Sequence, residues 1–491
     1  MKNLYYGDNL EVLRESIKDE SVDLIYLDPP FNSKRGYNLL FKSPDGKESN
    51  SQITAFDDSW HWNAQAEHEF NEILHQPNTD VAEMMQALRK FLGENDMMAY
   101  LTMMCNRLLE LRRVLKPTGS LYLHCDPTAS HYLKIVLDGV FGNDRMRSEI
   151  IWLRSGGFKR SSAKKFPHKH DTILFYSKSE EIYFRPQFKP HKPEYLKRFK
   201  TDGDGKLYRD DVNPTGGGTR TIYLDDVEGD LICSVWTDIH PINPVASERL
   251  GYPTQKPLAL LERIIKASCP ENGVVLDPFC GCGTAVHAAE KENLNWIGID
   301  ITHLAVSLIE KRLKDAFPKI EIEVHGTPKD FAGASDLFKR DAYQFQWWAC
   351  SLVNAQPYQG KKKGADGGID GLIFFQDDDK EAKKIIISVK GGANIGVAQV
   401  RDLGHVVERE KAAIGIFVTL TPPTSPMKTE AIKTGYYESK LTGNKYPKLQ
   451  ILTIEGLMSG TERPQHPQVG TALKTFKKAK TEDKSKQHTL F

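Results

Sequence analysis

Gly273–Thr284, GVVLDPFCGCGT, and Ser21–Phe31, SVDLIYLDPPF, decide the fold. Each is a short apolar, β-branched run that ends in an aspartate and breaks into proline or glycine, as buried strands do on entering functional loops. Gly119–Asp126, GSLYLHCD, has the same form. Helical periods lie between them. In AYLTMMCNRLLELRRVLK, Leu101, Met104, Leu108, Leu111 and Leu115 recur at steps of three and four, which predicts a helix ending before Pro117 and Gly119. PLALLERIIKAS predicts a second helix just ahead of GVVLD. Strands alternating with helices predict an open α/β domain of Rossmann-like type, with a parallel sheet covered on both faces.

Two loops carry chemistry. In Asp28-Pro29-Pro30-Phe31 the carboxylate is a fixed acceptor, and the prolines can present a backbone carbonyl with no competing N–H. Phe31 can stack on a planar group. In the second loop, Gly281 and Gly283 let the backbone approach a ligand, and the strand of NLNWIGIDI ends at Asp300, where a carboxylate can hold ribose hydroxyls. Each motif alone is also compatible with an ordinary strand-ending turn. Cys280 and Cys282 lack the spacing and the second pair of a zinc site.

In this order and context, the residues resemble the permuted, β-class exocyclic-amino DNA methyltransferases, over roughly residues 1 to 317. In that family the catalytic loop comes first, a target-recognition insertion next and the cofactor loop last. The resemblance assigns catalysis to Asp28, Pro29, Pro30 and Phe31. It assigns S-adenosylmethionine binding to Asp277, Phe279, Gly281, Gly283 and Thr284, with Asp300 on the ribose and Asp8 of YYGDNLEVL near the adenine. YPTQKP, Tyr252 to Pro257, matches the element that precedes the cofactor strand. The implied substrate is double-stranded DNA with the target base flipped out, which is what stacking on Phe31 requires. An amino group conjugated to its ring is a poor nucleophile until acceptors such as Asp28 make it more pyramidal. Asp rather than Ser at the first catalytic position favours the 6-amino group of adenine over the 4-amino group of cytosine. Methylation at carbon 5 of cytosine would need a Pro-Cys nucleophile, and none of the seven cysteines follows a proline. Trp60 and Trp62, after FDDSW, read either as part of a lid or DNA-facing loop or as an aromatic packing cluster.

These loops fit an expected catalytic domain of residues 1–153 and 254–317, interrupted by a recognition insertion, 154–253. From Arg154 to Arg220 there are 16 Lys and Arg against 8 Asp and Glu, interleaved with aromatics, in a chain of net charge +1. That segment reads as a phosphate-binding surface or a merely solvated one. A nuclease-like domain is expected over 318–470, with a helix around ASDLFKRDAYQFQWWACSLV and strands in GIDGLIFF, KKIIISVK and AIGIFVTL. KKKGADGGIDGLIFF and KKIIISVKGG resemble the Mrr-type restriction enzymes of the PD-(D/E)xK fold. By that resemblance Asp370 would bind magnesium and Lys390 would orient water. Ser388 stands where Glu or Gln is usual and Gln346 where a supporting Glu is common. Three readings therefore stay open: an active nuclease, a DNA-binding derivative, and a structural appendage. Gln399, Arg401 and His405 are candidate phosphate contacts under the first two. The tail, 471–491, is expected to be flexible and ends in Gln487-His488-Thr489-Leu490-Phe491. There Gln487, Leu490 and Phe491 resemble the anchors of a sliding-clamp peptide.

Composition sets the outer bounds. At 491 residues, 40% hydrophobic and 27% charged, the chain predicts two or three globular domains. Its first residues lack a basic start with an apolar run, no stretch approaches about 18 unbroken apolar residues, and seven scattered cysteines are no disulfide framework. The expectation is a cytoplasmic protein with no membrane contact; a homodimer is an open possibility.

Overall fold

The computed structural model describes residues 1–30, 60–154, 166, 168–212, 216–243, 246, 248–250, 255–358, 367–377, 382–467 and 481–482, with the backbone of a hairpin at Gly36–Lys42 and Glu48–Asp57. A nine-stranded sheet organises the first two thirds. In spatial order its strands are Val235–Trp236, Met146–Leu153, His170–Ser177, Leu115–Cys125, Val22–Leu27, Val274–Asp277, Asn295–Asp300, Lys2–Tyr6 and Glu323–His325. The run from Leu115–Cys125 to Glu323–His325 is parallel.

The sheet is mixed rather than parallel. His170–Ser177 runs antiparallel to both of its neighbours. This strand and Val235–Trp236 lie in the segment expected to be an insertion, so that boundary is corrected: the chain leaves the sheet after Leu153, returns for eight residues, and leaves again. HDTILFYS is buried at every position but its first, and only membership of a sheet covered on both faces satisfies such a run. The boundary at 317 also moves. Glu323–His325 pairs with Lys2–Tyr6 and covers an edge that would otherwise expose its backbone.

Helices cover both faces. On one, Asp96–Val114 is capped by Asn95, whose side chain accepts from Met98 N at 3.0 Å, and it buries Leu101, Met104, Leu108 and Leu111 with Ser130–Phe141. Leu115, the last member of the predicted stripe, is instead the first residue of the next strand, which runs through Pro117 and Gly119. On the other face Leu258–Ser268, Thr284–Lys291 and His303–Ala316 pack Leu261, Ile265, Val286 and Ile309 against Trp296 and Leu24. Burying a side chain of this size contributes about 1.5–3 kcal/mol.

The C-terminal unit has its own sheet of Gln356–Pro357, Gly371–Gln376, Ala382–Lys390, Ile414–Thr419 and Leu449–Thr453, with a core on each face. The single helix expected before it is two, Phe331–Arg340 and Ala342–Leu352. Asp341 is extended between them and caps the second by accepting from Tyr343 N and Gln344 N. The two units meet where His303 N donates to Gln344 Oε1 at 3.2 Å. Most of the tail lies outside the described residues, but Glu482 is placed, its N donating to Ala316 O at 3.0 Å. Among the described residues no helix is long and apolar enough to cross a membrane.

Candidate active site

Four adjacent parallel strands end at the same edge of the sheet, and an aspartate stands at or just beyond the end of each: Asp28 after Val22–Leu27, Asp277, Asp300, and Asp8 after Lys2–Tyr6. A cleft of about 320 Å³ opens there. Asp8, Asp28, Pro30, Trp60, Asp277, Phe279, Gly281, Thr284 and Asp300 all line it. The topology thus brings together loops separated by some 250 residues of sequence, at the crevice where open α/β sheets bind ligands.

The glycine loop is built by backbone geometry. Gly281 has φ +53° and Gly283 φ +75°, both left-handed, and a Cβ on Gly283 would stand 2.9 Å from Ile309 Cγ1. Gly281 N donates to Asp300 Oδ2 at 2.9 Å, and Thr302 N and Oγ1 donate to Oδ1 at 2.9 and 3.0 Å. Burial pushes the Asp300 carboxyl up to about 6 against the pull of these hydrogen bonds. Asp277 accepts from Phe279 N at 3.0 Å, and its burial drives the carboxyl well above the usual carboxylate range. Cys280 and Cys282 are buried, and desolvation raises both thiols. Among the described residues no group of three or more His, Cys, Asp or Glu could hold a metal.

At the catalytic loop, Asp28 Oδ2 accepts a hydrogen bond from the buried Lys256 Nζ, while Asp28 Oδ1 is buried with no hydrogen-bond partner among the described residues. Pro29 is buried. Phe31 lies outside the described residues, as do Tyr252 to Thr254. Trp60 lines the cleft beside Tyr100. Trp62 turns away, donating to Glu67 at 3.1 Å under Arg89. Both tryptophans pack against the hydrophobic core, and Trp60 also lines the cleft.

Several site residues have no motif to announce them. Arg107, from the middle of helix Asp96–Val114, donates to Asp8 Oδ2 at 2.9 Å and to Asn9 Oδ1 at 2.6 Å, and Asn9 Nδ2 donates to Pro278 O at 2.8 Å. Arg312, buried in helix His303–Ala316, donates to Cys282 O at 2.8 Å and Thr284 Oγ1 at 3.2 Å, fixing the back of the glycine loop. Beneath Asp28, Tyr26 and His124 Nδ1 stand 3.0 Å apart and His124 Nε2 and Asp171 Oδ2 3.1 Å apart, with Arg154 3.0 Å from Asp171 Oδ1. With Asp171 ionised beside a guanidinium, His124 Nε2 donates to it and Nδ1 accepts from the Tyr26 hydroxyl. Burial and the nearby Lys256 charge lower the His124 pKa, so the ring is neutral.

In the C-terminal unit Asp370 is buried. Its Oδ2 accepts from Val389 N at 2.7 Å and from Ser388 Oγ and Lys390 Nζ at 3.4 Å. Gln346 lies on helix Ala342–Leu352, whose Cys350 Sγ donates to Asp370 O at 3.5 Å. Gln399 is spent on its own helix start, accepting from Gly396 N at 2.9 Å, and Arg401 pairs with Glu430 at 2.9 Å. His405 is exposed. Gln487 to Phe491 lie outside the described residues.

The chain is similar to several known proteins. The type II methyltransferase M.EcaI of Enterobacter cloacae is 25% identical over 354 residues, which span 63% of this chain and 68% of the relative. The Mod subunit of the type III restriction-modification enzyme StyLTI of Salmonella typhimurium is 25% identical over 343 residues, 57% of this chain and 48% of the relative. The chain thus spans about half to two thirds of the length of these curated relatives. The solved M1.HpyAVI–SAM complex shares 17% identity at a TM-score of 0.33, over 64% of this chain and all of that one. A restriction endonuclease family model of Mrr type matches residues 337–438. The DNA methylase model matches residues 22–311, more than half of the chain and every strand end of the cleft but that at Asp8, so the chain belongs to the N6/N4 DNA methylase family and carries a Mrr-type restriction-endonuclease domain behind the methylase core.

Proposed function

We propose that this chain transfers a methyl group from S-adenosylmethionine to the 6-amino group of adenine in duplex DNA, at a base flipped into the cleft. One observation carries the reading: Asp28 Oδ1 is buried without a partner at the mouth of the cleft that the glycine loop and Asp300 complete. An orphaned buried carboxylate oxygen costs about 1–3 kcal/mol or more, and an amino N–H donated by the base would satisfy it. The cofactor supplies an electrophilic methyl carbon. Asp300 would hold its ribose, Asp8 with Arg107 would bound the adenine end, and Asp277 and Phe279 would line the middle. The bond formed is N–CH3 and the bond broken is S–CH3, whose electron pair stays on the now neutral thioether sulfur, while the amino proton passes to solvent water as the charge on nitrogen collapses. Acceptance of the amino hydrogen by Asp28 strengthens as that charge develops, so it acts on the transition state more than on binding.

Asp at position 28 supports adenine over cytosine. The test is nucleoside mass spectrometry of duplex DNA after incubation with the protein and S-adenosylmethionine. N6-methyladenine is expected, and N4-methylcytosine would overturn the base assignment. Asp28→Asn should abolish transfer while leaving cofactor affinity intact; full methylation by that variant would remove Asp28 from catalysis.

A second reading rests on Lys390 and Asp370, brought to 3.4 Å in a domain matched by the restriction endonuclease model. In this bifunctional enzyme the C-terminal domain would cut unmethylated DNA with magnesium. Sliding-clamp docking through Gln487, Leu490 and Phe491, a homodimer and a cytoplasmic setting complete the proposal on the strength of the sequence alone.

A further inference from the structure

We infer that Lys256 is the positioning residue of the catalytic loop, a cation delivered by the exit of the recognition insertion that fixes Asp28 with one oxygen engaged and the other presented to the target amino group. This rests on the reading of Asp28 given above.

Lys256 is 8% exposed, an uncommon depth for a lysine, and its Nζ donates to Asp28 Oδ2 across 228 residues of sequence. A buried cation needs a partner, and a carboxylate gripped at one oxygen loses its freedom to rotate. The oxygen left over, Oδ1, is the buried one without a hydrogen bond. Lys256 itself is held in place from both sides. Gln255 Nε2 donates to Glu248 O at 2.7 Å and Gln255 Oε1 accepts from Leu250 N at 2.9 Å. On the other side Leu258 N, at the start of helix Leu258–Ser268, donates to Glu248 Oε2 at 3.2 Å. The last turn of the insertion is thereby tied to the residues flanking the lysine, the Gln255 side chain and the Leu258 backbone N–H. Around the pair stand Tyr26 and His124, with Asp277 across the cleft. Neutral His124 adds no competing charge, and Lys256 is the cation that the cleft supplies to Asp28.

The test uses the full chain with Lys256→Met, Lys256→Arg and Asp28→Asn in parallel. Single-turnover methyl transfer is measured, with calorimetry for S-adenosylmethionine and thermal melts for folding. K256M should lose about 100-fold in rate, the scale of a misplaced catalytic group, with cofactor affinity within about twofold of wild type. K256R, which keeps a cation in the same place, should restore most of the rate. A lysine serving only to fill space would be replaced by methionine with no loss of rate and would gain nothing from arginine. Wild-type turnover in K256M, or a loss that arginine does not repair, overturns the inference. If D28N retains activity, the reading of Asp28 falls first. If D28N is dead and K256M is active, only the role of Lys256 falls. Should K256M not fold, K256Q, which keeps a shorter neutral donor, carries the same outcomes.

Discussion

Lowering the pH from about 7.5 to 5 should weaken S-adenosylmethionine binding through Asp300. Its carboxyl, ordinarily near 3.8, is pushed up to about 6 by burial, which corresponds to about 3 kcal/mol against ionisation in the free protein. The sign follows from linkage. A raised folded-state pKa means that the free protein holds this proton more tightly than the unfolded chain does. The stabilising contribution is complete below about 4 and is lost as pH rises through about 6. Ribose hydroxyls donating to the carboxylate favour its ionised form, so binding expels the proton and affinity rises over the same window. If only the ionised form holds the ribose, about one molecule in ten is competent at pH 5, and Kd should be about tenfold weaker than at neutral pH. Calorimetry in buffers of different ionisation enthalpy reads both the affinity and the released proton. Asp300→Asn should bind weakly at every pH and release less. A wild-type Kd that is flat from pH 7.5 to 5, or a proton release unchanged in D300N, would refute the reasoning.

Gly283→Val should cost about 2–5 kcal/mol, because φ +75° is unfavourable for any side chain and the new Cβ would press on Ile309 Cγ1 at 2.9 Å. A urea midpoint equal to wild type would show that the loop adapts. For the C-terminal domain, magnesium-dependent cleavage of unmethylated DNA should be slow or absent. Asp370 Oδ2 is already occupied by three donors and Ser388 brings no charge, whereas magnesium favours carboxylates. Site-dependent fragments from wild type that vanish in Lys390→Ala would establish the bifunctional reading instead.

What the sequence discloses is whatever is local. The two loops were legible because strand, aspartate and breaker are contiguous, and their order was enough to suggest the permuted arrangement. Asp341, which caps the second of two helices, lies inside a stretch whose apolar residues read as one helix. The strand His170–Ser177 was lost among glycines and lysines although TILFY is an apolar run; what marks it as sheet is a pairing with Leu115–Cys125 that no local pattern states. Glu323–His325 is three residues long, too short for any period to show. Charge partners are the least legible. Arg107 lies in a helix that reads as an apolar stripe, 99 positions from Asp8, and Lys256 lies 228 from Asp28. Each is fixed only when the sheet has closed.

Those partners divide the four carboxylates of the cleft into two kinds. Asp8 and Asp28 face Arg107 and Lys256, so each pair is close to neutral. Asp277 and Asp300 are held by backbone N–H groups, and burial resists their ionisation. S-adenosylmethionine carries a sulfonium, an ammonium and one carboxylate, for a net charge of about +1 at neutral pH, whereas the demethylated product has lost the sulfonium charge. In a site of low effective dielectric a cation near two strained carboxylates is worth more than in water. If the cleft binds S-adenosylmethionine as proposed, the arrangement should therefore favour the methyl donor over its product, and a demethylated product that binds as tightly as the donor would count against it.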